Sequence, residues 1–379
     1  MDNFTFAVPC LFGVEGLAAD ELKRLKMTNV RAENGRVLFD GSAADLARAN
    51  VNIATGERVT ILVGEGRADT FDMLFELVRA MSWELYLPRS AKFPVTGHAL
   101  SSALHSVPDC QRIIKKAISM RLTDAYKVNI HPEDGAEYKI RFTILNDRAS
   151  IAIDTSGAGL HKRGYRPAAV KDGVAAVAAP LSETLAAAMV RVARFRGREA
   201  MRDSFCGSGT LVIEAALAAL NRAPGINRKF TAQNWTNLPE SIWREAREEA
   251  KSREFSGDYD IWGGDVDPAC VEVANENARR AGVSKNVRFE VADARKFEPS
   301  APSGVIITNP PYGERVMERA DAERLYREFG AATRELRGWN IYLLSSHTEF
   351  ERTFGRTATK KRKLYNGMLK CDLFMYLGK

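Results

Sequence analysis

Hydrophobic and polar residues follow two different patterns along the chain, and the pattern changes near residue 165. Before it, short apolar or alternating runs typical of strands are interspersed with longer amphipathic stretches typical of helices. The strand-like runs are 35–41, 58–64, 138–145 and 148–154, and the helix-like stretches are 16–25, 70–83 and 109–126. With a hairpin signal at Asn146 and Asp147 between the last two strands, this half predicts one or two compact α+β modules.

After residue 180 the pattern becomes strand, glycine-rich turn and helix, repeated. The strand-like runs are 200–205, 259–265, 286–293, 304–311 and 339–346. This order predicts a doubly wound, mostly parallel α/β sheet. Two further strand-like runs surround Asn366 and Gly367, which favours an antiparallel hairpin that closes the sheet.

Length and composition set limits on the class of protein. The chain has 379 residues, which predicts two or three domains. It has neither an apolar run of membrane-spanning length nor a secretory start, so a cytoplasmic location is expected. The five cysteines are far apart, which predicts reduced thiols and no metal site. The net charge of +7 favours a polyanionic partner, although many basic proteins have none.

The stretch MRDSFCGSGTLVIEAAL (201–217) predicts a cofactor site where a strand passes into a helix. At Gly207 and Gly209, backbone N–H groups can face a nucleotide-like ligand without interference from a Cβ atom. The stretch departs from the GxGxxG fingerprint because Val212 occupies the third glycine position. A nicotinamide dinucleotide is therefore disfavoured.

Two acidic residues follow the next predicted strands. Asp265 in GGDVDP comes after a helical insert (221–258), and Asp293 in VADAR ends the following strand. Asp265 can accept both hydroxyls of a ribose, and Asp293 can accept from an adenine amino group. Either aspartate is also a common helix cap or turn former. The order of the motifs favours a ligand site at the carboxyl edge of the sheet.

The fourth strand end carries TNPPYGERV (308–316), in which two prolines must end the strand. Together with DSFCGSGT, GGDVDP and VADAR, this motif resembles the class I S-adenosylmethionine-dependent methyltransferases that modify exocyclic amino groups of bases. That resemblance implies S-adenosyl-L-methionine as the cofactor. It also implies catalytic roles for four consecutive residues, which are Asn309, Pro310, Pro311 and Tyr312.

The expected chemistry explains these residue types. The lone pair of an exocyclic amine is delocalised into the base, so the amine is a poor nucleophile. If the Asn309 side-chain oxygen and the Pro310 carbonyl accept its two N–H bonds, the lone pair can point at the methyl group. Tyr312 can then stack on an unpaired or flipped-out base.

The resemblance places the cofactor contacts in the four motifs and in the start of a later helix. The stretch 161–190, with its RGYR and PLSET elements, resembles the junction segment of THUMP-domain RNA methyltransferases. A helix cap is the alternative interpretation of Ser182. The implied cofactor residues are Ser182, Glu183, Thr184, Asp203, Phe205, Cys206, Gly207, Gly209, Thr210, Asp265, Val266, Asp293, Ala294 and Asn309.

The same resemblance implies the domain order. A ferredoxin-like domain (1–66) and a THUMP RNA-binding domain (67–160) precede a Rossmann-like methyltransferase domain (161–379), of which 161–180 is a linker. The insert 223–235 resembles that of the RlmL-like branch, which methylates the N2 amine of guanine.

Three basic clusters are candidates for RNA contact, and a solvated surface is the alternative for each. One lies on the amphipathic helix 109–121, one on the junction and one in the basic stretch 351–363. Their residues are Arg112, Lys115, Lys116, His161, Lys162, Arg163, Arg166, Lys360, Lys361 and Arg362.

The resemblance therefore implies an RNA guanine-N2 methyltransferase, with large-subunit ribosomal RNA preferred and tRNA second. The NPPY chemistry alone also permits adenine or cytosine amines. DNA adenine-N6 methylation, protein-glutamine methylation and a noncatalytic RNA-binding assembly factor remain alternatives. A monomer is expected, and a dimer stays open.

Overall fold

The computed structural model describes residues 4–166, 181–312 and 318–378, so most of the predicted linker lies outside the described residues. The chain folds as two units. The first unit contains Ala19–Leu160 and Arg228–Glu249 together with the strand before Leu11. The second contains Leu11–Ala18, His161–Asn227 and the chain from Ala250 onward.

The described residues of the first unit form a seven-stranded sheet in the order β2-β3-β1-β4-β7-β6-β5. Its strand pairs are antiparallel except for β5 and β6, which run parallel. The strands are β1 (Phe4–Pro9), β2 (Thr28–Glu33), β3 (Arg36–Gly41), β4 (Thr60–Arg67), β5 (Val95–Leu100), β6 (Ile140–Leu145) and β7 (Arg148–Asp154). The helices of this half of the chain are α1 (Glu15–Arg24), α2 (Ala43–Asn52), α3 (Phe71–Arg79) and α4 (Val107–Tyr126).

Local sequence explains several element ends in this unit. The predicted hairpin between β6 and β7 is confirmed, with Asn146 and Asp147 at φ +49° and +59°, as a two-residue turn of this type requires. The helix predicted over 70–83 ends at Arg79 instead. Trp83 lies in a short 3₁₀ turn, where its buried indole donates to the Val78 carbonyl near the end of α3 (2.8 Å).

Residues 228–249 of the insert that follows the glycine-rich motif belong to the first unit. Its Trp235 stacks on Tyr138 with ring centroids 4.3 Å apart, and the indole Nε1 donates to the Glu137 carbonyl (2.9 Å). The Tyr138 hydroxyl donates to Asn237 (3.0 Å), and Arg228 donates to two carbonyls just after β7. A segment from the C-terminal half of the sequence thus completes the core of the first unit.

The described residues of the second unit form a seven-stranded sheet in the order β10-β9-β8-β11-β12-β14-β13. The strands are β8 (Ala200–Asp203), β9 (Ile261–Asp265), β10 (Arg288–Val291), β11 (Gly304–Thr308), β12 (Trp339–Ser345), β13 (Lys360–Asn366) and β14 (Leu369–Tyr376). The five strands from β10 to β12 in this order pair in parallel, and β14 runs antiparallel to both β12 and β13. The predicted doubly wound sheet with a closing hairpin is confirmed.

The helices after residue 180 are α5 (Glu183–Val192), α6 (Thr210–Ala219), α7 (Ser241–Ser252), α8 (Pro268–Ala281), α9 (Arg319–Ala332) and α10 (Phe350–Phe354). Every residue of β11 is buried, as expected for a central strand of a parallel sheet. A core of aromatic and aliphatic side chains packs against it and includes Phe329, Phe350 and Phe354. In the described ranges no helix has the length and apolarity needed to cross a membrane.

The stacking of Trp235 on Tyr138 generates a prediction about the insert. Trp235→Ala should destabilise the first unit by about 3–5 kcal/mol, because it removes a buried aromatic side chain and leaves a cavity. Chemical denaturation of the full chain measures the loss, and hydrogen exchange should show weaker protection of β6. Trp235→Phe, which keeps a stacking ring, should retain most of the stability. Unchanged protection of β6 in the alanine variant would mean that the insert does not support this unit.

Candidate active site

Four strand ends that carry polar motifs meet at one edge of the second sheet. β8 ends at Asp203, β9 at Asp265 and β11 at Thr308, while Asp293 lies two residues after β10. These strands are parallel neighbours in the order β10-β9-β8-β11. Their carboxyl ends therefore share the edge at which open α/β sheets bind ligands.

The glycine-rich turn is held against the end of β9 by its backbone. The Cys206 N–H donates to the Gly264 carbonyl (2.9 Å), and the Gly207 N–H donates to Asp265 Oδ2 (2.9 Å). Gly209 has φ +79°, and a Cβ there would lie 2.8 Å from the Phe289 ring. Backbone conformation and packing therefore require glycine at 209, independently of the ligand contact that the sequence predicts there.

Asp265 is partly buried and organises the loop between β9 and α8. Its Oδ1 accepts from the Asp267 N–H (3.0 Å), and Asp267 in turn caps α8 by accepting from Ala269. The helix cap is thus Asp267, two residues beyond Asp265. Each carboxylate oxygen of Asp265 keeps a lone pair after these bonds, so the group can still accept from a diol. The neighbouring Val266 side chain is largely exposed.

Asp293 makes the contacts of a cap. It accepts from the Arg295 N–H (3.0 Å) at the start of a 3₁₀ turn, and it pairs with the Arg295 guanidinium (2.7 Å). The hydrogen bond from Arg295 lowers the pKa of Asp293, so the carboxylate is charged at neutral pH. A cavity of about 240 Å³ is lined by Asp293 and Ala294 together with the rings of Trp262 and Phe297.

Asp203 is fully buried where the ends of β8 and β11 meet. Its Oδ1 accepts from the Thr308 hydroxyl (2.6 Å) and from the Phe205 N–H (3.2 Å). Burial raises the pKa of Asp203 to about 7, and the Asp265 charge adds to the rise, while the two hydrogen bonds oppose it. One carboxyl thereby connects the glycine-rich turn to the residue that precedes Asn309.

The NPPY residues are fixed by two tyrosine hydroxyls. Tyr312 donates to the Asn309 side-chain oxygen, and Tyr326 on α9 donates to the Pro311 carbonyl (2.5 Å). Burial raises the pKa of Tyr312, so its hydroxyl keeps the proton that it donates. The oxygen predicted to hold a substrate amine thus accepts from Tyr312 in this structure. Tyr326 was not predicted, because its position is that of an ordinary core residue on an amphipathic helix.

The junction segment makes buried ion pairs. Arg163 pairs with Glu214 (3.3 Å), and both side chains are buried; the Tyr165 hydroxyl also donates to Glu214 (3.2 Å). The Arg166 Nε donates to the buried Glu183 (2.9 Å). Arg163 is therefore not the surface RNA contact that the sequence suggested, and Arg166 is engaged with the start of α5. The buried ion pair gives Arg163 a structural role, and the RNA contact predicted for Arg166 stays a prediction.

The start of α5 shows a capping arrangement. Ser182 is the N-cap and accepts from the Leu185 N–H (3.5 Å), and its hydroxyl lies 2.7 Å from that of Thr184. These contacts agree with the capping interpretation of Ser182 and leave its predicted proximity to the cofactor as a prediction.

The remaining basic candidates lie at or near the surface of their own units. On α4, Arg112 is exposed, Lys115 pairs with Glu133 (2.9 Å), and Lys116 lies over the Phe75 ring (5.8 Å). Lys360 and Lys361 are exposed on β13, Arg362 is half-buried there, Lys162 is exposed, and His161 is half-buried. Within the described parts of the chain no group of side chains could hold a metal ion.

Three family models match the chain in sequence order. They are the RlmL ferredoxin-like domain over residues 5–60, the THUMP domain over 68–154 and the RMKL-like methyltransferase domain over 163–374. The predicted domain boundaries stay a prediction, since the structural units exchange the segments around 11–18 and 228–249.

Relatives that match the whole chain are known. YpsC of Bacillus subtilis (strain 168), which carries the name of an RNA methyltransferase, is 41% identical over 100% of this chain and 97% of its own length. The ribosomal RNA large subunit methyltransferase K/L of Shewanella baltica (strain OS185) is 33% identical over 99% of this chain, which spans 53% of that protein. The crystal structure of SMU.472, described as a methyltransferase complexed with SAH, has a TM-score of 0.92 and 38% identity, and covers 100% of this chain and 99% of its own.

The raised pKa of Asp203 generates a prediction about stability. The ordinary pKa of an aspartate is 3.8, and that of Asp203 in the folded protein is about 7. At pH values between these two, the folded protein binds more protons at this carboxyl than the unfolded chain does. The free energy of unfolding of the cofactor-free wild type should therefore fall as pH rises through this window. Asp203→Asn, which keeps an acceptor for Thr308, removes this fall. Its stability relative to wild type should rise from pH 5 to pH 8 by up to about 3 kcal/mol.

Urea denaturation of both proteins at several pH values measures this difference. Comparing the variant with the wild type at each pH cancels the titration of all other groups. A difference that is the same at pH 5 and pH 8 would show that Asp203 is ionised normally in the folded protein.

Proposed function

Because the chain belongs to the RMKL-like methyltransferase family, we propose that it methylates the exocyclic N2 amine of a guanosine in RNA, with large-subunit ribosomal RNA as the first candidate. Membership confirms the predicted family and fold class. The predicted cofactor, S-adenosylmethionine, is confirmed at the family level, since a relative that covers the whole chain is complexed with SAH. The THUMP match and the names of the K/L relatives support an RNA substrate.

The observation that carries the proposal is the bond between Asp203 and Thr308. It joins the glycine-rich turn after β8, the proposed cofactor site, to the strand end that precedes Asn309. Asn309, the proposed acceptor for the substrate amine, therefore lies at the same sheet edge as Asp265, the proposed acceptor for the ribose hydroxyls. This combination suits methyl transfer to nitrogen and has no use in a nonspecific RNA-binding surface.

The residues can perform the transfer by positioning. When bound, the cofactor supplies a methyl group attached to a sulfonium. Asn309 Oδ1 and the Pro310 carbonyl accept the two N–H bonds of the amine, which turns its lone pair out of conjugation. No strong base is required, because the nitrogen becomes acidic as it gains positive charge, and its proton can pass to water. Holding the reacting atoms in contact supplies much of the rate acceleration.

The acceptor oxygen of Asn309 is already used once. Asn309 Oδ1 accepts from Tyr312 in the structure, and its second lone pair can accept from an arriving amine. The Tyr312 ring is the proposed stacking surface for the base, as predicted from the sequence. Tyr326 donates to the Pro311 carbonyl and keeps the backbone of the motif in place.

The test is methyl transfer from labelled S-adenosylmethionine to total RNA, genomic DNA and protein, each prepared from a strain that lacks this gene. Label in RNA, recovered as N2-methylguanosine after digestion, is expected. Label in DNA as N6-methyladenine, or in protein glutamine, would overturn the proposal in favour of those alternatives. Cofactor binding without transfer to any pool would point to a noncatalytic role.

Asn309→Ala should lower kcat by at least about 100-fold, since it removes an acceptor that acts on the reacting amine. The affinity for the cofactor, measured by calorimetry, should stay within a few-fold of wild type. Asn275→Ala, at an exposed position on α8, is the matched control and should change neither quantity. Loss of cofactor affinity in parallel with kcat would contradict the role given to Asn309.

Asp265→Ala should weaken cofactor binding by about 10- to 100-fold, because a charged acceptor of ribose hydroxyls is lost. Asp265→Asn keeps one acceptor oxygen toward the Gly207 N–H and should fall between the alanine variant and wild type. Calorimetric titration with S-adenosylhomocysteine gives both values. Wild-type affinity in the alanine variant would remove the ribose role.

A further inference from the structure

A short segment from the N-terminal half of the sequence packs on the closing hairpin of the catalytic sheet. Leu11–Ala18 belongs to the second unit, and the loop passes close to the backbone of β13. Gly13 has φ +88°, and a Cβ there would lie 2.7 Å from the Lys363 carbonyl. Neither the backbone conformation nor the contact permits a larger residue at this position.

The loop brings Phe12 to Tyr365. Their ring centroids are 6.4 Å apart and the planes are inclined at 65°, an edge-to-face arrangement. The Phe12 side chain is 58% exposed, and Tyr365 is half-buried. We call these two side chains the aromatic platform. An aromatic pair held in place with one ring mostly in solvent offers a free stacking surface.

The platform and the NPPY motif lie at the same edge of the sheet. β11 ends at Thr308, just before the motif, and the neighbouring strand β12 ends at Ser345. Ser345 pairs with Asp372 on β14, and Asp372 pairs with Lys363 on β13. Tyr365 lies two residues beyond Lys363 toward the hairpin turn, which places the platform at the carboxyl edge of the parallel strands, with β12 and β14 between it and the NPPY motif.

The surroundings of the platform are basic. Lys360, Lys361 and Lys363 are exposed on β13, and Lys370 is exposed opposite Tyr365 on β14. Glu351 neutralises Lys361 (2.7 Å), and within the described residues none of the other three lysines forms an ion pair. Lysines on an edge strand also discourage strand pairing between molecules. That role does not explain an exposed ring held beside them, whereas a nucleic-acid strand uses both features.

We propose that the aromatic platform stacks an unpaired base that neighbours the target guanosine, while the lysines of β13 and β14 contact the adjoining phosphates. The proposal rests on the RNA substrate proposed above and adds a binding subsite to it. Single-stranded RNA is recognised mainly by stacking of its bases on aromatic side chains, and any base can occupy such a surface. The enzyme therefore requires a target guanosine in a loop or an unpaired stretch.

The first experiment measures stacking directly. The probe is a short single-stranded oligoribonucleotide with 2-aminopurine next to its one guanosine. The fluorescence of 2-aminopurine is quenched when this base stacks. Wild-type protein with S-adenosylhomocysteine should quench it, and Phe12→Ala should need roughly 5- to 100-fold more protein for the same quenching. Phe12→Trp should restore binding. Phe255→Ala, which removes a similarly exposed phenylalanine of the second unit, is the matched control and should bind as wild type.

The second experiment uses methylation of total RNA from the gene-deletion strain. Phe12→Ala should raise KM for RNA while kcat at saturating RNA and the affinity for S-adenosylhomocysteine stay unchanged. Gly13→Ala, which displaces the loop but keeps the ring, should raise KM in the same way. Equal quenching and equal KM for RNA in wild type and Phe12→Ala would contradict the proposed stacking on the aromatic platform. An equal loss of quenching in Phe255→Ala would contradict it as well. A wild-type protein that methylates no RNA would instead refute the proposed function, whatever the quenching shows.

Discussion

A buried carboxyl at the meeting point of two parallel strands is the constraint on which the catalytic unit depends. Asp203 accepts from the Phe205 backbone on one side and from Thr308 on the other, so the glycine-rich turn and the NPPY strand end cannot move independently. Asp265 extends the same network by accepting from Gly207. Three strand ends that are far apart in sequence are thereby fixed as one surface. Burying a carboxyl in this way has a cost, which appears as the raised pKa of Asp203.

The two units are not continuous stretches of sequence. The segment 228–249 leaves the catalytic half and completes the core of the first unit, and the segment 11–18 leaves the first half and packs on the catalytic hairpin. Each exchanged segment carries an aromatic residue with a defined partner, Trp235 on Tyr138 and Phe12 beside Tyr365. Each of the two units is therefore built partly from the half of the sequence that forms most of the other.

Much of this architecture could be predicted from the sequence, because it follows from local patterns. The strands β11 and β12 were apolar runs, and the first hairpin had the turn residues that its geometry needs. The turn of the second hairpin is Gly367 and Met368, one residue later than predicted, because Asn366 pairs with Leu369 at the end of β13. The strand β2 (TNVRAE) was missed because it is almost entirely exposed and has no apolar alternation. The burial of Arg163 was missed because its partner Glu214 is 51 residues away. The bond of Tyr326 to the Pro311 carbonyl was missed because it depends on how α9 packs against the NPPY motif, which no spacing in the sequence reveals.

The most direct test of the central claim is a crystal structure of the protein with S-adenosylhomocysteine. We expect the ribose hydroxyls on Asp265 and the sulfur facing the Asn309 amide across a gap that fits one methyl group and an amine. The bond between Thr308 and Asp203 should be intact. Adenosine bound away from the ends of β8 and β9, or an Asn309 side chain turned away from the sulfur, would contradict the proposed site.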